Sequence, residues 1–411
     1  MIKFMILPFV LGFAVNASAL DQIEQETRYL QFAKSLTDLS AKSVIPALGP
    51  EDAKLLVDAL WDAQEEGLVP LRLRETLRRL SNTELSLNDQ LRVGVLRNRV
   101  GMSFSRRALG SALLMGLADP QTGEALALTI ISLRADLKKM GLTHLVSSAR
   151  VMQPNASAQA LKTEQPVIGD QTLLAKDLWD HPLDLNTWYN GKYAGGVAIY
   201  QFCRSNRLFP CVQVLRDAQG QPVRNADGTL WSQPSLSMSA RNLPSNQRNG
   251  STPSGIHTLN GVMPVPDQVP SFGRFRRVIL DFVPKSANEA RQREILPGTS
   301  QDSSWWRPNV VARDIGRNLF RIHGSGKLNE DPTSSWFPFR PTSGCISKRE
   351  NTYGDVEYQD QQLLLNQLMT AQGLEVKYEN ETAIRGVLFL IEINDEAAPV
   401  TTETLATFGV N

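Results

Sequence analysis

The sequence predicts a multidomain chain, an N-terminal all-α domain over residues 20–150 followed by a mostly β domain over residues 191–395, and three observations predict it. Apolar residues recur at helical spacing through the first part. That periodicity lapses between Val151 and Pro166 into Gln, Pro, Asn, Ala, Ser and Thr, which reads as linker. Beyond it, Gly, Pro, Asn and Ser punctuate short β-branched or apolar runs, the texture of strands. At 411 residues the chain is long enough for two such units.

Element by element, Met1 to Lys3 gives a basic start, Phe4 to Val15 an apolar core and Ala17-Ser18-Ala19 a small-residue cleavage site. Residues 1–19 thus read as a secretory signal, and the expected location is outside the cytoplasm, in the periplasm or cell envelope. No later run approaches the roughly 20 apolar residues that span a bilayer, so no membrane span is expected after processing. The 43 Lys and Arg balance 42 Asp and Glu for a formal charge of +1, which argues against a nucleic-acid partner.

In the first part, Ala53 to Trp61 and Leu71 to Leu80 carry helical periodicity. Gly49-Pro50 suits a helix start, Gly67 a stop, and Ser86 to Asp89 a capping box. The basic face of Arg72, Arg74, Arg78 and Arg79 reads as solvated. No chemistry is visible here, and one reading of this domain is the recruitment of a protein partner. Residues 151–190 form a linker and pre-domain segment. Strands are expected over Gly196–Phe202, Cys211–Leu215, Arg277–Val283, Asn318–Ile322 and Arg385–Ile393, with one late helix over Asp360–Met369 and a tail at 396–411.

Three cysteines in an exported chain require an account. Cys203 and Cys211 either form a bridge across a hairpin or pack as two small buried thiols; both readings leave Cys345 over. The four histidines, His144, His181, His257 and His323, show no ligand spacing, and no metal or other cofactor is expected. His323 ends a strand and opens His323-Gly-Ser-Gly326; Cys345, 22 residues after His323, lies in Thr342-Ser-Gly-Cys-Ile346. A thiol presented by a Gly turn, with an imidazole as base, is the equipment of cysteine acyl transfer.

Thr252-Pro-Ser-Gly-Ile-His257, a strand, Ile322-His-Gly-Ser and Ser343-Gly-Cys-Ile together resemble the YkuD-type L,D-transpeptidase catalytic domain, over roughly Lys192 to Ile393. The resemblance implies a β-sandwich with one or two helices and attack of a thiolate on a peptidoglycan tetrapeptide stem. Cys345 would be the nucleophile, His323 the base, and Gly324 part of the turn that fixes the imidazole. Gly344 and Cys345 N–H would form the oxyanion hole, with Ser343 in the supporting turn. The acceptor sets the product: a second stem gives a cross-link, another amine tethers a protein or exchanges a D-amino acid, and water gives an L,D-carboxypeptidase.

The chain departs from the family pattern at two motif positions, and its His-to-Cys interval is slightly longer than is typical. Thr342-Ser343 replace Ser-His, and Ser347 stands where Arg is usual, with Lys348 and Arg349 following. These departures motivate a second reading, a peptidoglycan-binding scaffold that keeps the fold without turnover. Trp305, Trp306, Trp336 and Phe339 lie in insert-like segments as either a lid or loop anchors, with Arg340, Trp336 and Ser325 as substrate-contact candidates. His257 is read as structural.

Overall fold

The computed structural model describes residues 22–37, 50–65, 67, 70–80, 85–154, 171–283, 294–301 and 303–411. The signal at 1–19 and most of the linker lie outside the described residues. Among the described residues the regular elements of the first part are all helices, α1 (Gln22–Thr37), α2 (Pro50–Glu65), α3 (Pro70–Arg79), α4 (Leu87–Arg99), α5 (Arg106–Leu117), α6 (Gly123–Ser132), α7 (Arg134–Lys139) and α8 (His144–Met152). Leu56, Leu60, Leu73, Leu91, Leu113, Ile130 and Leu145 bury the stripes that the periodicity marks. Ser86 caps α4, its hydroxyl accepting the Asp89 N–H at 3.2 Å. Arg74 is not wholly solvated: its guanidinium donates to the Val100 carbonyl, closing the end of α4.

The second part begins with α9 (Gln171–Asp180), which packs on the β core through Leu174, Leu178 and Trp179. Part of the segment read as pre-domain therefore belongs to the β domain. The strands are β1 (Val197–Arg204), β2 (Cys211–Arg216), β3 (Ser232–Ser235), β4 (Gly255–Val262), β5 (Val278–Phe282), β6 (Phe320–His323), β7 (Ile346–Ser347), β8 (Glu350–Tyr353), β9 (Val356–Gln359) and β10 (Gly386–Asn394). Between them lie α10 (Val269–Phe272), α11 (Arg307–Asp314) and α12 (Asp360–Ala371), and α13 (Thr402–Thr407) follows. The tail is packed, with Val400, Leu405 and Val410 buried against β10's side of the core.

Eight strands form one mixed sheet in the order β3-β2-β1-β10-β4-β5-β6-β7, and β8 and β9 form a separate hairpin. The large sheet bends until its edges nearly meet: Leu236 N donates to Ser347 O at 3.0 Å, and Ser347 N to Leu236 O at 2.8 Å. The expectation of two facing sheets is thus replaced by a single, almost closed barrel, a shape that leaves little open strand edge. Inside it, Ile199, Leu215, Leu259, Leu280, Ile322, Ile346 and Leu388 meet Leu364, Leu365 and Leu368 of α12. Outside, Tyr200, Phe202, Val214, Val387 and Phe389 are covered by α9, Trp305 and Trp306. Burial on both faces is why these strands read as continuous apolar runs rather than alternating ones.

Cys203 and Cys211 are joined by a disulfide between β1 and β2. The two domains interlock. Val311 and Ile315, in and just after α11, enter the helical core, while Ala312 of the same helix belongs to the barrel core. Arg248 reaches Asp58 of α2 at 2.8 Å, and Asp58 also takes Arg92 at 2.6 Å. Burial alone would raise the Asp58 carboxyl, but Arg248 and Arg92 outweigh it and hold the pKa below its ordinary value.

Candidate active site

The alternation of β5 and β6 sets the site. Val278, Leu280 and Ile322 point into the barrel, so Arg277, Arg321 and His323 leave the sheet on its outer face. In the parallel pairing, Ile322 sits opposite Ile346 and His323 opposite Ser347, which brings Cys345 level with Arg321. A cleft of about 410 Å³ lies between this outer face and helices α1 and α2. His323 and Cys345 both line it, with Phe272, Arg317 and Arg321 from the barrel side and Tyr29, Ala33 and Asp62 among the helical residues.

The turn carrying the thiol is closed by Thr342, whose hydroxyl donates to Cys345 O at 2.7 Å and accepts Gly344 N–H at 3.2 Å. Gly344 has φ +115, and a Cβ there would stand 2.4 Å from Arg317 Nη2 and 2.6 Å from Gly250 O, so the turn requires glycine on two counts. Its carbonyl accepts Thr252 Oγ1 at 2.9 Å; the Thr-Pro-Ser-Gly segment therefore braces the cysteine turn directly. Because the Gly344 N–H is engaged within the turn, an oxyanion would first have to compete with Thr342 for that donor.

Cys345 is nearly buried at 7% exposure, and it is a free thiol. Its sulfur donates to Leu319 O at 3.8 Å and receives Arg321 Nη1 at 3.7 Å. Leu319 is itself in the left-handed region at φ +57, an uncommon conformation for a bulky residue, and its carbonyl is what faces the thiol. Arg317 lies beneath the turn and donates to the carbonyls of Ser245, Gly250 and Ser251. Burial and the nearby Arg248 push its pKa down to about 9, with Cys345 opposing.

His323 Nδ1 contacts Gly324 O at 2.5 Å; a carbonyl only accepts, so the proton lies on Nδ1 and Nε2 is left as a lone-pair acceptor. Phe272 stands edge-on to the imidazole at 5.0 Å. Burial lowers the His323 pKa to about 3, with Gly324 opposing and Arg321 and Arg277 adding to the fall. The ring is therefore neutral at ordinary pH, with its Nε2 lone pair free of the Gly324 contact, and the same burial makes it a weaker base than a free imidazole. Glu350 packs behind Gly324, where a Cβ would meet its carboxyl group at 2.2 Å. Burial raises Glu350 to about 7.

Ser343 and Arg340 line the cleft, and Arg340 Nη1 donates to Leu328 O at 3.0 Å while staying exposed at the mouth. Ser325 lines it as well, its hydroxyl accepting Lys327 N–H at 3.1 Å. Trp336 packs with Leu236, Met238 and Phe339 outside the cleft lining. Trp305 and Trp306 are buried in the barrel's outer core, Trp305 Nε1 donating to Leu390 O at 2.6 Å, so they anchor the segment instead of forming a lid. His257 is buried within β4, hydrogen-bonded to Pro253 O at 3.1 Å, and burial lowers its pKa to about 4. Ser347 is buried, and Lys348 and Arg349 do not enter the cleft lining. Lys348 Nζ turns into the barrel to Gln213 Oε1 at 2.6 Å, while Arg349 pairs with Asp360 at 2.6 Å.

Sequence reasoning missed Arg321, Arg277, Arg317 and Glu26. The first had a signal: Arg321-Ile-His323 puts two polar side chains two apart in a strand, hence on one face. Among the described residues, no cluster of His, Cys, Asp and Glu could hold a metal ion, and no helix is long and apolar enough to cross a membrane. Comparison of the chain with protein-family models, with curated proteins and with solved structures found no match.

Proposed function

We propose that the protein is an exported cysteine acyltransferase of the L,D-transpeptidase type, acting on peptidoglycan tetrapeptide stems. The observation that carries this reading is the presence of a free thiol and a neutral imidazole on one outer face of paired strands, in one cleft, with a guanidinium at the sulfur. The resemblance of the motifs around these residues supplies the substrate class.

In this reading His323 Nε2 takes the Cys345 proton as the sulfur attacks the carbonyl carbon of the third stem residue. The tetrahedral oxyanion is held by backbone N–H groups of the cysteine turn. Collapse breaks the C–N bond to D-alanine, whose amine leaves with the proton from His323, and a Cys345 thioester remains. An incoming amine, or water, then attacks the thioester and restores the thiol. In the structure the sulfur's partners are Leu319 O and Arg321 Nη1, not His323, so the sulfur–imidazole hydrogen bond would have to form on substrate binding. Arg321 places positive charge beside the sulfur from the neighbouring strand, offsetting the Ser at position 347.

A second reading, a wall-binding protein without turnover, draws on Ser343 in place of an imidazole and on the near-burial of Cys345 beneath α1 and α2. The two part on a digest of tetrapeptide muropeptides incubated with the protein: release of D-alanine supports the enzyme, and unchanged tetrapeptides with a reduced, titratable thiol support the binder.

A further inference from the structure

Glu26 is a carboxylate with no exposed surface. It lies on α1, yet its partners are on the barrel. Arg321 grips it with both arms of its fork, Nε to Oε1 at 2.7 Å and Nη2 to Oε2 at 2.5 Å, and Arg277 Nε donates to Oε1 at 2.9 Å. Arg321 stands on β6 and Arg277 immediately before the adjacent β5, on one face. Phe272 forms a wall, its ring centroid 4.3 Å from the Arg277 guanidinium carbon and 4.9 Å from that of Arg321. Arg277 also contacts Asp267. Together these groups make a socket of the shape and charge a single carboxylate requires, with bidentate geometry that a point charge would not reproduce.

Two features separate this socket from an ordinary structural ion pair. One of its arginines also touches the cleft thiol, Arg321 Nη1 lying 3.7 Å from Cys345 Sγ. The carboxylate that fills it comes from a separate element. Leu36, near the other end of α1, is anchored in the helical core, whereas Ile23 and Glu26, near its start, rest on the barrel by Gly261 and the two arginines. Tyr29, Leu30, Ala33 and Lys34 of the same helix line the cleft over the thiol. Lifting the start of α1 would expose the socket and widen the cleft in one movement. It would also leave Arg321 buried without a carboxylate, a state that any incoming carboxylate relieves.

We propose that Arg277 and Arg321 form a binding site for the carboxylate of a peptide ligand, and that Glu26 occupies it in cis, making α1 a plug that such a ligand displaces. That this ligand is the acyl donor or acceptor rests on the reading of Cys345 as nucleophile; the socket and the plug do not.

The test uses the full chain, acetate as probe and acetamide as its neutral match at equal ionic strength. Its readout is the rate at which iodoacetamide alkylates Cys345, the one cysteine outside the disulfide. Glu26→Ala is expected to raise that rate at least ten-fold, and acetate, not acetamide, to slow it again and to raise the variant's melting temperature. Glu26→Gln, which keeps the side chain's size and should fold where Ala does not, is expected to shift the rate in the same direction and by less. A rate equal to wild type in whichever variant folds, or equal effects of acetate and acetamide on it, overturns the proposal. Neither readout involves acyl transfer: D-alanine release without an acetate effect would remove the socket and keep the enzyme, and an acetate effect without D-alanine release would do the reverse.

Discussion

The guanidinium of Arg321 joins the two domains at the thiol: Nη1 lies 3.7 Å from Cys345 Sγ, while Nε and Nη2 hold both carboxylate oxygens of Glu26 on α1. Removing it should therefore affect stability and chemistry together. Arg321→Met leaves Glu26 buried with Arg277 alone, and breaking a buried pair from one side costs about 3–5 kcal/mol. Arg321→Lys keeps the charge and loses the fork. The lysine variant is expected to melt closer to wild type than the methionine variant, yet to release D-alanine at least ten-fold more slowly. Thermal melts alongside a D-alanine assay separate the two effects, and a lysine variant of full activity would deny Arg321 its place at the sulfur.

His323 is held neutral by burial, with its pKa pushed down to about 3. The unfolded imidazole, at about 6.5, binds a proton first as pH falls. Its contribution to stability is thus fully present above about pH 6.5 and is lost on acidification toward pH 3, by up to about 1.4 kcal/mol per pH unit. His257, lowered to about 4, adds to the same trend. Urea melts from pH 7 to 4 should show a shallower fall for His323→Gln than for wild type. Equal slopes would mean that the ring is not shielded from protons.

Lys348 lies inside the barrel against Gln213 and Pro234, and burial lowers its pKa to about 7. Here too the folded pKa is depressed, so the unfolded amine, near 10.4, keeps its proton longer. Stability should rise between pH 7 and 10 for wild type relative to Lys348→Met, in which the linkage is gone. Parallel pH profiles for the two proteins would contradict the buried placement.

Trp306 is 1% exposed in the outer barrel core. Trp306→Ala is expected to lower stability by about 3–5 kcal/mol and, at a temperature where it is folded, to leave KM for muropeptide unchanged. A KM rise in the folded variant would return this tryptophan to the role of a substrate lid.

The helical stripes around Leu56 and Leu73 and the runs that became β1, β2, β5 and β10 were legible because period and composition are local properties. The barrel closure was not, since it depends on Leu236 meeting Ser347 across more than a hundred residues. The short β3 and β7 offered too few residues to show a period. Trp305 and Trp306 looked like loop aromatics because α11, which they introduce, is only eight residues long and starts with Arg-Pro. At the site, Cys345 and His323 stood out by their motifs. Glu26 carried no signal at all: its meaning lies in a contact made 295 positions away by a helix that reads as belonging to another domain.

The central claim, that Cys345 is a nucleophile served by His323, is tested most directly by intact-mass spectrometry of the purified protein after exposure to a carbapenem, with Cys345→Ala and His323→Gln beside it. The account predicts a stoichiometric adduct on wild type that maps to Cys345, none on Cys345→Ala, and formation slowed at least a hundred-fold in His323→Gln. An unmodified wild-type mass with the thiol shown to be reduced and free to react, or an adduct that forms equally fast without His323, would contradict it.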